Sequence, residues 1–448
     1  MGTRLFRVLL LICTVPAAAA AQSVPHLPAS YAAPNADRVF VGVNEAHEAG
    51  AYLARARGPA AAWYNVAGLA NDETSAISGN ARGFELNLLS GNAPGQQDSQ
   101  ASGLGMLPQY LGIELGPDAL PWESIRGGIA FLQKNSWASR VWWFQSDDTR
   151  HWSYVSESAF NAWELSASAA WAVSPELRLG VSLGLDVTHL FINDRFTGLL
   201  LTPGDAPATA RSRLAMGLDV HLAPTLAAQW APLPWLALGA VLRMPGVRLG
   251  GMSDIQFEEL NGGAAGIENA SLMDDGARFE FRSPLELDVA VALLLREWEL
   301  EVDVRYHAAT GTYTMFASNQ PIRTVSAPPG GPAVETPFGG LQYQGRAVFN
   351  VAVGGSRALS EKLRFHAGIY NSASPVSGEQ ALLRQIAVWG VRGGISFHAE
   401  RLALSAGVGV ERARSSATSG LTAPASGPID DAVQMLMLQA LLGLEYRF

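Results

Sequence analysis

The chain has 448 residues, is 48% hydrophobic and carries a formal net charge of −9, enough length for several small domains or one large barrel. That acidity argues against nucleic acid as a partner. The only cysteine, Cys13, falls in the N-terminal leader, so the mature chain is expected to have neither an internal disulfide nor a cysteine metal site.

In chain order, Arg4 and Arg7 precede an apolar run over 8–15 and small residues over 16–21. This pattern reads as a secretory signal peptide over 1–21, cut after Ala21 and too short and alanine-rich for a membrane anchor. Beyond it no stretch approaches the roughly 20 consecutive apolar residues of a membrane helix. Residues 22–72 form an N-terminal extension. Its first part is rich in Pro and Ala, 45–57 reads as a short helix dominated by Ala and Glu, and a second short helix is entered at Pro59 and capped by Gly68.

From 73 to 448 the hydrophobic period is two. The clearest strand is 179–191, where Leu179, Val181, Leu183, Leu185, Val187 and Phe191 alternate with Gly180, Ser182, Gly184, Asp186 and Thr188. A strand gathers those apolar residues on one face; a helix would scatter them. Similar segments follow at 125–132, 157–173, 214–230, 235–244, 285–295, 298–306, 346–357, 362–371, 386–398, 401–412 and 433–448, with weaker ones at 75–88 and 106–115. The total is about 14 strands. Short connections (174–176, 233–234) alternate with long ones near 133–156, 193–211, 249–276, 310–344 and 413–430, as in an outer-membrane barrel.

Alternation alone also fits a soluble barrel or sandwich. Three features favour the membrane. About 14 strands enclose a lumen too wide to fill with side chains, so a polar, water-lined interior is expected. Trp171, Trp230, Trp235, Trp298, Trp389 and Tyr446 gather near strand ends, as interfacial girdles do. The last strand carries Leu442, Leu444, Tyr446 and Phe448 on one face, a terminal signature resembling that read by the barrel-assembly machinery. The fold class is therefore all-β, an antiparallel transmembrane barrel of about 14 strands with a short helical N-terminal hatch in its lumen.

The run Trp63-Tyr64-Asn65-Val66-Ala67-Gly68-Leu69-Ala70 resembles the Y-N-P-A-G-L-A motif of the FadL family of outer-membrane transporters for hydrophobic compounds. The preceding 50–56 is similar to the small-residue helix that leads into it, and Val66 stands where the family has Pro. The resemblance implies a monomer, with Asn65, Val66, Ala67 and Gly68 as the hatch corner. It also implies capture of fatty acids or hydrocarbons from outside and lateral release through a kink in the third strand, for which Gly127-Gly128 is the candidate. Outer-membrane lipid and lipopolysaccharide would be its surroundings, and neither a cofactor nor enzyme chemistry is implied. The alternative is a similar barrel with a permanently closed hatch in a structural or secretion-accessory role; a polar-solute porin comes third.

Other candidates come from the residues themselves. Among the lumen-side charges are Glu286, Asp288, Glu299, Glu301 and Asp303, on two neighbouring strands, and the arginines Arg126, Arg305, Arg346, Arg364 and Arg392. They either brace the wall with ion pairs or present a planar fork to a ligand carboxylate. Met435, Met437 and Leu441 face inward if Phe448 faces lipid, to pack the hatch or line a path for an apolar ligand. The segment 133–156 holds Trp137, Trp142, Trp143, Phe144, Trp152 and Tyr154, either an adsorbing rim or a local core. The G-x-S-x-G run at 180–184 lies mid-strand, without the strand-turn-helix setting of a catalytic serine, and the eight histidines show no metal-ligand spacing.

Overall fold

The computed structural model describes residues 30, 32–36, 39–71, 74–91, 99–120, 124–146, 150–200, 208–263, 266–326, 332–377, 382–415, 422–423, 427–428 and 433–448; the expected signal peptide lies outside them. Fourteen antiparallel strands close into a barrel. They are β1 (Ala76–Gly91), β2 (Ser99–Leu115), β3 (Ile125–Ser146), β4 (Arg150–Ala172), β5 (Leu177–Leu200) and β6 (Ala208–Leu233). The next four are interrupted: β7 (Leu236–Arg243 and Val247–Gly263), β8 (Gly266–Phe279 and Glu286–Leu294), β9 (Trp298–His307, Gly311–Ala317 and Pro321–Ser326) and β10 (Val334–Pro337, Leu341–Gly345 and Val348–Ala358). Then come β11 (Leu363–Ser372), β12 (Ile386–His398), β13 (Leu402–Ser415) and β14 (Val433–Arg447), which pairs with β13 and β1 to close the ring.

The period-two pattern has its apolar side outward. Leu287, Val289, Val291 and Leu293 on β8 and Leu300, Val302 and Val304 on β9 are exposed, while Asp288, Ala290, Ala292, Glu301, Asp303 and Arg305 between them are buried. Trp230, Trp235, Trp298, Trp389, Tyr446 and the terminal Phe448 are exposed on the same surface. An apolar outer face accompanied by aromatics is the surface a barrel turns to lipid. Among the described residues no helix is long and apolar enough to cross a membrane.

Three expectations are corrected. Most of the long loops are strand: β3 and β4 run through 133–156 apart from 147–149, and β5 and β6 reach 24 and 26 residues, far beyond the 9–11 or so a membrane strand needs. The interior is not uniformly polar. Above the hatch, side chains from strands that are not neighbours meet inside the lumen, as Phe160 on β4 and Phe281 beside β8 do with ring centroids 5.0 Å apart. Trp137, Trp152, Tyr154, Phe257, Phe279, Phe316, Met435 and Met437 belong to that apolar core. Within the expected aromatic loop, Trp137, Trp152 and Tyr154 thus point inward, whereas Trp142 and Phe144 are exposed.

The hatch is less helical than expected. Of 45–57 only Glu45–Glu48 forms a 3₁₀ turn, which ends where Ala49 (φ 55°) and Gly50 (φ 70°) enter the left-handed region. Beyond it the backbone donors are used by the wall: Tyr52 N–H donates to Asp303 and Ala54 N–H to Glu301, at 3.3 and 2.6 Å. Those bonds take two of the donors that a helix here would need. The second helix likewise stops at Tyr64; Asn65 is extended (φ −155°, ψ 101°), and Val66–Asn71 continues as 3₁₀. Gly68 is needed for space rather than for a left-handed cap, since a Cβ there would lie 2.2 Å from Ala56 O.

Glycines in the wall receive this backbone. A Cβ on Gly180 of β5 would sit 2.5 Å from Ala67 N, and one on Gly354 of β10 would sit 2.2 Å from Glu48 O. Gly128, Gly239, Gly368, Gly394, Gly407 and Gly443 face hatch atoms at similarly forbidding distances. These positions make a ring of clearance around the lumen, and Gly180 within the G-x-S-x-G run is part of it.

Gly180→Leu is expected to expel the hatch corner by overpacking, a cost of about 3 kcal/mol or more. Limited proteolysis should then cut within 50–71 while the barrel keeps its heat-modifiable gel migration. Gly393→Ala, whose Cβ would have 3.5 Å of room, should behave as wild type.

Candidate functional site

The hatch is held by one buried network. Arg55 pairs with Glu48 on the hatch, with Glu301 at 2.8 Å and with Glu299 at 3.1 Å on β9. Glu48 also meets His366 Nδ1 at 2.6 Å, Arg364 reaches Glu299 at 2.6 Å, and Arg305 donates to Gly50 O at 2.5 Å. Arg392 bonds Glu411 and Gln439 at 2.8 and 3.0 Å and lies over the Phe40 ring, 4.7 Å from its centroid. Asn65, fully buried, donates from Nδ2 to Leu53 O (3.0 Å) and to Ala228 O of β6 (2.9 Å), while its Oδ1 accepts from Ala67 N at 3.1 Å. One side chain thus ties the hatch corner to an earlier hatch turn and to the wall.

Above this layer lies a cavity of about 130 Å³. Its floor is Trp63 of the hatch, with Arg243 and Lys134 at 4.4 and 5.6 Å from the ring centroid. Both cations are paired, each with two carboxylates: Lys134 with Glu164 (3.1 Å) and Asp186 (3.0 Å), Arg243 with Glu286 and Asp288. Phe160, Trp163, Phe281, Tyr343 and Pro284 supply aromatic and apolar walls, and Pro34–Ala36 borders one side. That last segment belongs to a strap across the lumen. Ser30 bonds Asp194 at 2.9 Å, Asn35 donates to Ile386 O at 2.7 Å, and Asn135 of β3 donates to Ala33 O at 3.1 Å.

Next to the cavity the wall has a seam. The β2–β3 ladder runs from Leu115↔Gly127 only to Tyr110↔Leu132, although β3 continues to Ser146 paired with β4. The register of β3 shifts between Gln133 and Asn135, and that of β2 skips Gln109. Across the bulge the lumen-facing parity changes: Ala130 and Leu132 point inward below it, Trp137 and Val141 above it. Gly127 and Gly128, expected to kink, are paired in register on both sides. The irregularity lies five residues further on, where the sequence carries no glycine to mark it.

Of the other expected residues, Arg346 lines the cavity, its Nε donating to Ser374 O at 3.1 Å. Arg305, Arg364 and Arg392 are built into the hatch network, and Arg126 lies at the foot of β3 with Nη1 near Ile125 O. Met435 and Met437 face inward but pack in the apolar core above, and Leu441 is buried beside them in sequence on β14. Trp63, Lys134, Arg243, Phe160 and Phe281 were not singled out from the sequence. Only Trp63 carried a signal, its place in the hatch motif. Among the described residues no group of three His, Cys, Asp or Glu side chains is arranged as a metal site.

Solved structures with the same fold are numerous. A FadL homologue from Pseudomonas aeruginosa superposes with a TM-score of 0.60 at 13% identity, over 92% of this chain and 100% of that one. The Ralstonia pickettii toluene transporter TbuX gives 0.56 at 13% identity, over 91% and 98%, and the Pseudomonas putida toluene transporter TodX gives 0.57 at 12%, over the same shares. The chain therefore has the FadL-type fold. No protein-family model matches the sequence, and no curated protein is similar to it.

Two hatch groups make docking pH-dependent. Burial pushes the Glu45 carboxyl up to about 7, with Glu445 and Glu48 adding to the effect. Burial pushes His47 down to about 4, helped by His366 and Arg392. A carboxyl whose folded pKa is raised stabilises the fold while protonated, and that contribution is lost as pH rises from about 4.5 through about 7. His47 acts in reverse, losing its contribution as pH falls below about 6.5 towards 4. Glu45→Gln removes the first term alone. Hydrogen exchange of the hatch amides should show it stabilised by up to about 3 kcal/mol at pH 8 and unchanged near pH 4.5; equal effects at both pH values would contradict the assignment.

Proposed function

We propose that this chain takes small hydrophobic compounds across an outer membrane, binding them in the cavity above the hatch and releasing them sideways at the β2–β3 seam. The observation that carries the reading is the cavity itself. Its accessible walls are mostly apolar and aromatic, Lys134 and Arg243 within it are each held by carboxylates, and its volume of about 130 Å³ is near the roughly 150 Å³ of an engineered cavity known to admit benzene. Lys134 and Asn135, which line it, stand at the β3 bulge where the seam begins, so bound ligand and lateral exit adjoin. The hatch below is fixed by buried ion pairs and close glycine contacts. A sideways exit needs none of them broken, whereas an axial exit would strand Glu48, Glu301 and Arg55, at several kcal/mol each.

The magnitudes suit passage. Burying one ring, on the order of 200 Å² at ~25 cal/mol/Å², is worth about 5 kcal/mol before the costs of ordering. A site of roughly millimolar affinity follows, tight enough to collect an apolar solute and loose enough to let it go. Fused-ring or long-chain molecules would outgrow the cavity unless the core above yields. Asn65, Val66, Ala67 and Gly68 fix the hatch corner that carries the Trp63 floor of this path, and Arg346 is a cavity arginine placed to meet a polar substituent.

Gln109→Cys/Gln133→Cys places one thiol on each lip of the seam in a mature chain that has no other. Bridging them with a short bifunctional thiol reagent should lower toluene uptake at least tenfold, with recovery on reduction. Wild-type uptake by the bridged protein would rule out release at this seam.

A further inference from the structure

A second interruption of the wall lies on the far side of the cavity, between β7 and β8. Their lower ladder ends at Arg243↔Glu286 and the upper one begins at Ser253↔Ala277. Residues 244–252 and 278–285 therefore face each other without ladder pairing, while β6 behind them runs unbroken. These lips reach both sides of the wall. Met244, Phe281, Ser283 and Pro284 line the cavity, whereas Val247, Leu249, Met252 and Leu285 are exposed on the belt surface.

Polar side chains close this window in place of strand hydrogen bonds. Arg248 on one lip donates to Asp219 of β6 at 2.8 Å and to Phe279 O on the other lip at 2.9 Å. Phe281 N–H donates to the other oxygen of Asp219 at 2.8 Å, and His221 Nε2 lies 2.9 Å from that same oxygen. A few side-chain bonds centred on one buried carboxylate can exchange by rotamer motion; a ladder must unzip residue by residue. The height also differs from that of the seam. Eight residues of β7 at about 3.3 Å each, tilted about 45°, put the window roughly 19 Å above the short-turn rim, in the upper part of an apolar band about 25 Å tall. The six pairs of the β2–β3 ladder put the seam roughly 14 Å above it, nearer mid-membrane.

We propose that the β7–β8 window is a lateral inlet, through which a neutral apolar molecule of about one ring, dissolved in the outer leaflet, reaches the cavity. It rests on the uptake reading above and adds the route of access. An apolar solute concentrates in lipid, so an inlet facing lipid collects it from a richer phase than water does. The strap and the aromatic core stand over the cavity on the axial side, and the inlet bypasses both. Arg248 and Asp219 latch the window, and Met244 and Pro284 form its throat.

The test uses the whole chain in nanodiscs with Met244→Cys as the single thiol, labelled with bimane after folding; Pro284→Cys on the facing lip is the second variant. Nitroxide on upper acyl-chain carbons should quench bimane at either position more strongly than aqueous iodide does. The same label should lower toluene uptake at least fivefold, while bimane at Ser360→Cys, on the turn after β10, leaves uptake unchanged. Quenching by iodide alone overturns the inlet, as does acyl-chain quenching with uptake unaffected by the label. If the unlabelled wild-type chain takes up no toluene, the uptake reading fails instead, and the nitroxide measurement still decides whether the window opens to lipid.

Discussion

A stretch of backbone carried inside a barrel must find partners for its N–H and C=O groups, and here the wall provides them through carboxylates. Asp303 and Glu301 accept the hatch N–H groups of Tyr52 and Ala54, and the same Glu301 holds Arg55. Each of these carboxylates is itself buried and would be costly to leave unpaired. Hatch and wall are therefore mutually required. The wall needs the hatch cation, and the hatch needs the wall acceptors, so the unit tolerates little movement. The ring of wall glycines is the steric side of that bargain, since the backbones approach closer than any Cβ allows.

The rest of the lumen follows from that fixed floor. At its level lie charge and close packing; above it, aromatic side chains from strands that are not neighbours meet. Between the two remains one ring-sized space with Trp63 beneath it. With the hatch on one side of this space and the aromatic core on the other, the breaks in the wall become the informative features. Bulges at Gln109 and near Lys134 end one ladder, and between β7 and β8 a run of residues on each lip lacks pairing with the other. Both breaks border the cavity.

The barrel was legible because its physics is periodic. Lipid outside and acid or base inside wrote an alternation into segments such as 298–306, and all fourteen strand positions were marked by it. Strand extensions beyond the belt were not, because above the membrane both faces of a strand are mixed, and 249–276 read as loop. The hatch corner is marked by its motif, and Asn65 within it is one of the residues whose hydrogen bonds join hatch and wall. Its neighbour segment misled: Ala and Glu in 45–57 favour a helix locally, but wall carboxylates at 301 and 303, about 250 positions away, take its donors. The kink was assigned to Gly127-Gly128 because glycine permits bends, yet those glycines serve clearance, Gly128 being the one that admits Leu69. Cavity residues such as Lys134, Arg243 and Phe160 come from separate strands and share no spacing, so only closure of the barrel brings them together.

The central claim is that a barrel with a fixed hatch moves apolar molecules without offering water an axial pore. Purified protein reconstituted at known density can be measured twice, for radiolabelled toluene transfer between vesicles and for ion conductance in planar bilayers. The account predicts saturable toluene transfer with conductance no greater than that of the protein-free bilayer. A steady ohmic conductance together with toluene transfer no faster than in empty vesicles would contradict it.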